Sequence, residues 1–275
     1  MAAVESTDLE DRAMLELIDS HCHLTSGGLR EQVDAVLERA AAAGVAECIT
    51  VAQDLDDATQ TLALAAAHPR VHVVAGVHPH VAAKTPGDWT ERLRTIAARD
   101  DVRAVGETGL DYHYDFSDRP SQMRVFRGQL EIAAAVGKPV VIHCREAQGD
   151  VMAVLAEYPK LAGVVFHCFS GTQGEAREIL DRGYHVSLTG VVTFRNAGLL
   201  RQVARSIPDD RLMLETDAPY LSPEPVRKVR PNEPALLVHT AACVAKERGM
   251  TLEELAAMTT ANARRFFGLV RERAT

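Results

Sequence analysis

The feature that most constrains this chain is a rhythm of eight short apolar, strand-like runs separated by stretches of helical periodicity. The runs lie at 15–18, 47–51, 71–77, 102–106, 139–143, 163–167, 184–188 and 211–214. Between the first two, Val33, Val36, Leu37 and Ala40 recur at helical spacing and Gly44 supplies a stop. Thr172 with Glu175, and again Thr251 with Glu254, have the spacing of capping boxes that open helices, the first of which ends at Gly183. Strands that are each followed by a helix or a long loop pair in parallel through crossover connections. Eight such units in 275 residues predict a closed (β/α)8 TIM barrel. The expectation is a single domain over 1–275, with 1–13 as a flexible N-terminal extension. The alternative is an open doubly wound sheet. Its main cofactor signature is missing, because no G-x-G-x-x-G follows the first run.

Composition narrows the function classes. A net charge of −8 argues against general attraction to nucleic acid or anionic membranes, so an anionic substrate must be held by a local cluster of cations. Five cysteines without a C-x-x-C pair argue against a disulfide framework and for a reducing compartment. The acidic start, MAAVESTDLEDRAMLE, lacks the apolar stretch of a signal peptide, and no run approaches a membrane span. The chain is expected to be cytoplasmic, without membrane association.

In a barrel of this kind the chemistry sits at the C-terminal ends of the strands. The first strand is expected to end with His21 and His23, which share a face while Cys22 points away. Asp19 lies on the His21 face and is a candidate to fix an imidazole. The fourth strand ends in Glu107, the fifth in His143, the sixth in His167 and the eighth in Asp217. A lone histidine at a strand end is more often a satisfied side chain than a ligand. Six residues of ligand type at one rim form a metal site. Four imidazoles and two carboxylates suit Zn²⁺ or Mn²⁺, and with water Mg²⁺. Six donors exceed one tetrahedral ion and suit two divalent ions sharing a bridge, for which Glu107 has one oxygen per metal.

Read together, DSHCHL (19–24), GVHPH (76–80), GETGLDY (106–112), PVVIHCREA (139–147), FHCFSG (166–171), LETDAPYL (214–221) and RPNEPA (230–235) resemble the TatD family of metal-dependent deoxyribonucleases, within the amidohydrolase-like TIM-barrel superfamily. The resemblance runs in order along almost the whole chain. It implies that His21 and His23 hold one metal with Glu107 and Asp217, and that Glu107 reaches a second metal held by His143 and His167. It further implies that Asp217 orients or deprotonates the attacking water, and that the activity is 3′→5′ exonucleolytic and dependent on Mg²⁺ or a similar ion. Family members are often monomeric, and a monomer is expected here. Two positions depart from the family pattern. Thr25 stands where the first motif usually continues with aspartate, which lowers the local charge, and Pro231 stands where relatives often carry arginine.

Two metals about 3.5–4 Å apart activate a water and neutralise phosphoryl charge. Loops after the strands also carry cations: Arg145, Arg195, Arg227, Lys228 and Arg230. His78 and His80 flank a proline after the third strand, where their N–H groups suit a phosphate. Each cation alone reads as a solvated loop charge; clustered on one rim of an acidic protein they form an anion funnel. Tyr112, Phe194 and Tyr220 follow strands and are candidates to stack on a terminal base, against packing of the barrel mouth. The substrate expected is DNA, as single strands or frayed ends. The alternatives are a small ester, lactone, amide or phosphotriester on the same site, or a non-catalytic metal-binding scaffold.

Overall fold

A computed structural model describes residues 15–269; the extension expected at 1–13 lies outside the described residues. The strands are β1 (Leu17–Cys22), β2 (Val45–Val51), β3 (Val71–Ala75), β4 (Val102–Asp111), β5 (Val140–Arg145), β6 (Val164–Phe166), β7 (His185–Leu188) and β8 (Leu212–Leu214). They form one parallel sheet in sequence order, each strand hydrogen-bonded to the next, and the chain is a (β/α)8 TIM barrel. The connecting helices are α1 (Val33–Ala42), α2 (Leu55–Ala67), α3 (Trp89–Ala97), α4 (Arg119–Val136), α5 (Gln148–Ala156), α6 (Gln173–Asp181) and α7 (Gly198–Ser206), with α8 (Leu237–Arg248) and α9 (Leu252–Phe267) after the last strand. Both expected capping boxes are formed, at Thr172–Glu175 on α6 and Thr251–Glu254 on α9. Each satisfies two backbone N–H groups that the first helical turn would leave unpaired.

Two apolar layers hold the barrel. The larger lies between strands and helices and includes Leu17, Cys22, Val105, Ile142 and Phe166 with Val36, Phe126 and Leu237. The second joins one or two side chains from each of seven strands: Ile18, Ile49, Val51, Val74, Ala104, Val141, Val165 and Met213. Ala263, Phe267 and Leu269, at the end of α9 and just beyond it, pack into the same cluster, so α9 stoppers the bottom of the barrel. That dry plug leaves the polar interior at the C-terminal ends of the strands.

Closure is made between β8 and β1. Cys22 bridges Ala218, the Asp217 N–H donates to the His21 carbonyl at 2.9 Å, and the His23 N–H donates to the Ala218 carbonyl at 2.7 Å. Asp19, fully buried, accepts from the Thr216 N–H at 2.9 Å and the Thr216 hydroxyl at 2.5 Å. This corrects the expectation that Asp19 steadies an imidazole. The β1–β2 register shifts between Asp19 and Cys22, so strict alternation does not carry back past His21.

β4 is longer than its sequence suggests, continuing past Gly106 to Asp111, because Thr108, Gly109, Leu110 and Asp111 pair with Ile142, His143, Cys144 and Arg145 of β5. Gly109 permits this: its φ is +141°, and a β-carbon there would run into the His143 carbonyl oxygen. Gly109→Ala should therefore cost about 3 kcal/mol or more, the tail reserved for strained or overpacked backbone. Gly87→Ala, where nothing lies within 4 Å, should change stability by less than about 0.5 kcal/mol. Urea unfolding midpoints check both; equal midpoints would contradict the close approach of β4 and β5.

Candidate metal centre

Glu107 is the hub of the polar end of the barrel. Its side chain is 2% exposed and stands midway along β4, with its two oxygens facing different partners. Oε2 lies 3.3 Å from His21 Nε2 and 3.9 Å from His23 Nε2. Oε1 lies 2.7 Å from His143 Nδ1, 2.7 Å from His167 Nε2 and 3.3 Å from His78 Nε2. Asp217 Oδ1 closes the first group, 3.5 Å from His23 Nε2 and 3.9 Å from His21 Nε2. The six expected donors form two triads, His21–His23–Asp217 and Glu107–His143–His167, each with ligand atoms within 4.8 Å of one another, and two further groups, His21–His167–Glu215 and His78–His80–His143, overlap them. All six residues named from the sequence converge here. Asp217 lies beyond the end of β8, in a turn with φ +55°, rather than on the strand.

The imidazoles are steadied from behind. His23 Nδ1 is 2.8 Å from the Val51 carbonyl, so its N–H faces β2 and its Nε2 lone pair faces the cluster. His143 Nε2 is 2.9 Å from Asp111 Oδ2, which leaves Nδ1 as the lone-pair nitrogen toward Glu107. Asp111 is fully buried and also accepts from His80 Nε2 at 2.8 Å and from the N–H groups of His113 and Tyr114 at 3.0 and 2.9 Å. Glu215 lies 3.4 Å from His167 Nδ1 and is itself pinned by the Cys168 N–H and the Ser187 hydroxyl, both at 2.6 Å. Sequence reasoning missed Asp111 and Glu215. The available signal was two more acids in GETGLDY and LETD, close after strand runs already singled out.

Burial pushes the Glu107 carboxyl up, but the imidazoles of His167, His78 and His143 outweigh it and hold it well below the usual carboxylate range. Burial likewise lowers His167 and His143. The acids around each reverse that and raise both: Glu107 and Glu215 for His167, Asp111 and Glu107 for His143. His78 falls to about 4, because burial dominates and the neighbouring His143 and His80 oppose a second positive charge. Asp217, raised by burial, is held below its ordinary value by the hydrogen bond from His23 and by the surrounding imidazoles. A buried set of nitrogen and carboxylate donors with these charges fits a divalent cation of borderline or hard character.

The outer ring differs more from expectation. His78, expected as a phosphate donor, turns its Nε2 to Glu107 instead. The Tyr112 hydroxyl donates to Asp150 at 2.6 Å and its ring is covered by Arg119 at 4.0 Å, so neither end is free for a base. Arg230 donates to the Ser222 hydroxyl and to the carbonyls of Arg227 and Val229, which ties it into its own loop. Arg145 is exposed and lies over the Tyr114 ring, 4.8 Å from its centre, and Arg227 lies 3.4 Å over Phe194. Tyr220 is half exposed, with its ring centre 6.3 Å from that of His23. The Thr25 hydroxyl is buried and makes no hydrogen bond among the described residues.

Residues 18–268 match the model of the family described as TatD related DNase. A protein of Enterobacter lignolyticus called 3′-5′ ssDNA/RNA exonuclease TatD is 41% identical over 258 residues, 92% of this chain and 99% of that one. An Escherichia coli K12 protein called uncharacterized metal-dependent hydrolase YcfH is also 41% identical, over 255 residues, 91% of this chain and 95% of its own. The crystal structure of YjjV, a TatD homologue from E. coli K12, matches with a TM-score of 0.89 at 28% identity, covering 94% of this chain and 100% of that one.

Two outcomes follow from the geometry. Asp111→Asn should lower divalent-metal affinity about 10- to 100-fold, the usual cost of losing the carboxylate behind a ligating histidine, while unfolding stays cooperative. Calorimetric titration checks this, and an unchanged affinity would show that Asp111 does not orient His143. Because His143 and His167 hold protons more tightly than usual, a cation must displace them. Uptake should therefore release protons, and affinity should fall as pH drops from 8 to 6, seen as buffer-dependent binding heats.

Proposed function

The chain belongs to the TatD-related DNase family, and on that premise we propose that it is a metal-dependent hydrolase of phosphodiester bonds, trimming single-stranded or frayed DNA ends in the 3′→5′ direction. The observation that carries the reading is the division of Glu107, one oxygen toward His21 and His23 and the other toward His143 and His167. A carboxylate so placed could serve two cations, which would be held by His21, His23 and Asp217 on one side and by His143 and His167 on the other.

Charge balance supports two ions. Ligating imidazoles are neutral, so Glu107, Asp111, Glu215 and Asp217 would leave four negative charges in a nearly dry site. Two divalent cations offset them; Mg²⁺, Mn²⁺ and Zn²⁺ all suit the donors. When bound, such ions supply Lewis acidity, making a water acidic and neutralising phosphoryl charge.

The chain's own groups do the rest. Asp217 is 14% exposed against 2% for Glu107, so it is the carboxylate that reaches the mouth. Held ionised by His23, it orients the attacking water and accepts its proton. Arg145, exposed on the same rim, offers a planar fork to the phosphate of the incoming strand. The substrate meets the site as a chain end, which needs only this local cation and not a basic face, in keeping with a net charge of −8. The reading takes the chain as a monomer.

Metal-loaded protein should shorten an end-labelled single-stranded oligonucleotide stepwise, and a chelator should stop it. Glu107→Gln should cut the rate at least about 100-fold, since losing even a supporting group costs about 10- to 100-fold, and leave unfolding cooperative. Arg145→Ala should raise KM more than it lowers kcat. Turnover of a neutral ester with no shortening of the strand would overturn the reading.

A further inference from the structure

Phe116 leaves 64% of its surface in solvent, and Tyr114 leaves 46%, on the loop between β4 and α4. Neither ring contributes its burial to the core. Their order has another source: the two rings are stacked, centres 5.3 Å apart and planes 10° from parallel. His80 meets both edge-on, 4.8 Å from Phe116 and 5.5 Å from Tyr114. His80 is held at 2.8 Å by Asp111, which also holds His143 at 2.9 Å, and His143 faces Glu107. An unbroken line of contacts therefore runs from the candidate bridge to an exposed aromatic face. Arg145 flanks it, paired in register with Asp111 and lying over Tyr114.

We infer that Phe116, carried on Tyr114 and braced by His80, is a platform on which the nucleobase beside the reacting phosphate stacks. The inference rests on the phosphodiesterase reading above and adds a base-binding subsite to it. A stacked ring pair fixed at its edge is already ordered, so binding costs little side-chain entropy. The open face of Phe116 carries no hydrogen-bonding group, and every base has a π face. The subsite thus registers that a base is present and not which base it is. An end of any sequence is accepted, and an end without a base is held poorly.

The test compares steady-state cleavage, by the metal-loaded full chain, of an ordinary single strand and of the same strand with a base-less sugar at its cleaved end. Removing the base should raise the wild-type KM about tenfold or more, the scale of one base–aromatic stack, with a smaller effect on kcat. Phe116→Ala should raise KM on the ordinary strand by a similar factor and treat the two strands alike. Phe116→Trp, which keeps a ring, should still distinguish them. The platform is overturned if wild type does not discriminate, if Phe116→Ala discriminates as wild type does, or if Phe116→Trp fails like alanine; in each case the phosphodiesterase reading stands. A wild type that cuts neither strand overturns that reading, and this inference with it.

Discussion

Everything at the catalytic end of this molecule hangs on the seam where the last strand meets the first. A barrel removes its sheet edges only if β8 finds β1. β8 is short, Leu212–Leu214, and the work of closure passes to the segment beyond it. Asp217 and Ala218 exchange backbone hydrogen bonds with His21 and His23, and Thr216 is clasped by the buried carboxylate of Asp19. The residues that knit the seam are thus the first-triad donors themselves. Folding the barrel and assembling that half of the centre are one event, so a defect in closure is also a defect in the site.

The second half depends on a different contact, the close approach of β4 and β5 at Gly109. It carries β4 four residues past Glu107 and lets Asp111 lie against His143. Glu107 stands where the two halves meet, above an apolar plug that α9 completes. Water is excluded from below, so the acids and imidazoles have one another as partners. That environment explains why the buried acids Glu107, Asp111 and Glu215, with Asp217 nearer the mouth, lie against imidazoles. Such a concentration of like charge is tolerable only with matched cations or protons.

Much of this is legible in the sequence. Ligand-type residues at the ends of predicted strands need only the alternation of side chains and the polarity of a parallel barrel, and His21, His23, Glu107, His143, His167 and Asp217 come from that reasoning alone. What escaped it was set by partners distant in sequence. Asp111 and Glu215 look like ordinary acids until β5 and the β6–β7 loops bring His143 and His167 against them. Asp19 was misassigned because a register shift breaks the alternation on which its face was inferred. Tyr112 reads from the sequence as a candidate to stack on a base because it follows a strand. Its ring and hydroxyl are satisfied by Arg119 and Asp150, and no local pattern reveals that.

The acidic balance of the chain looks at odds with an anionic substrate, and the placement of cations resolves it. Arg92, Arg99, Arg127, Arg205 and Arg264 are paired with carboxylates on helices, inter-strand loops and the lower rim. Arg145, the last residue of β5, and Arg227, in the loop after β8, have no ion pair among the described residues and rest on the faces of Tyr114 and Phe194 instead. A ring face holds a guanidinium in place without neutralising it, so its N–H groups stay available to an incoming phosphate. Paired cations elsewhere contribute little to the field beyond a Debye length, about 10 Å at 0.1 M salt. The attraction that matters to a strand end is therefore local, set by which arginines lack a carboxylate, and net charge is a poor guide to it.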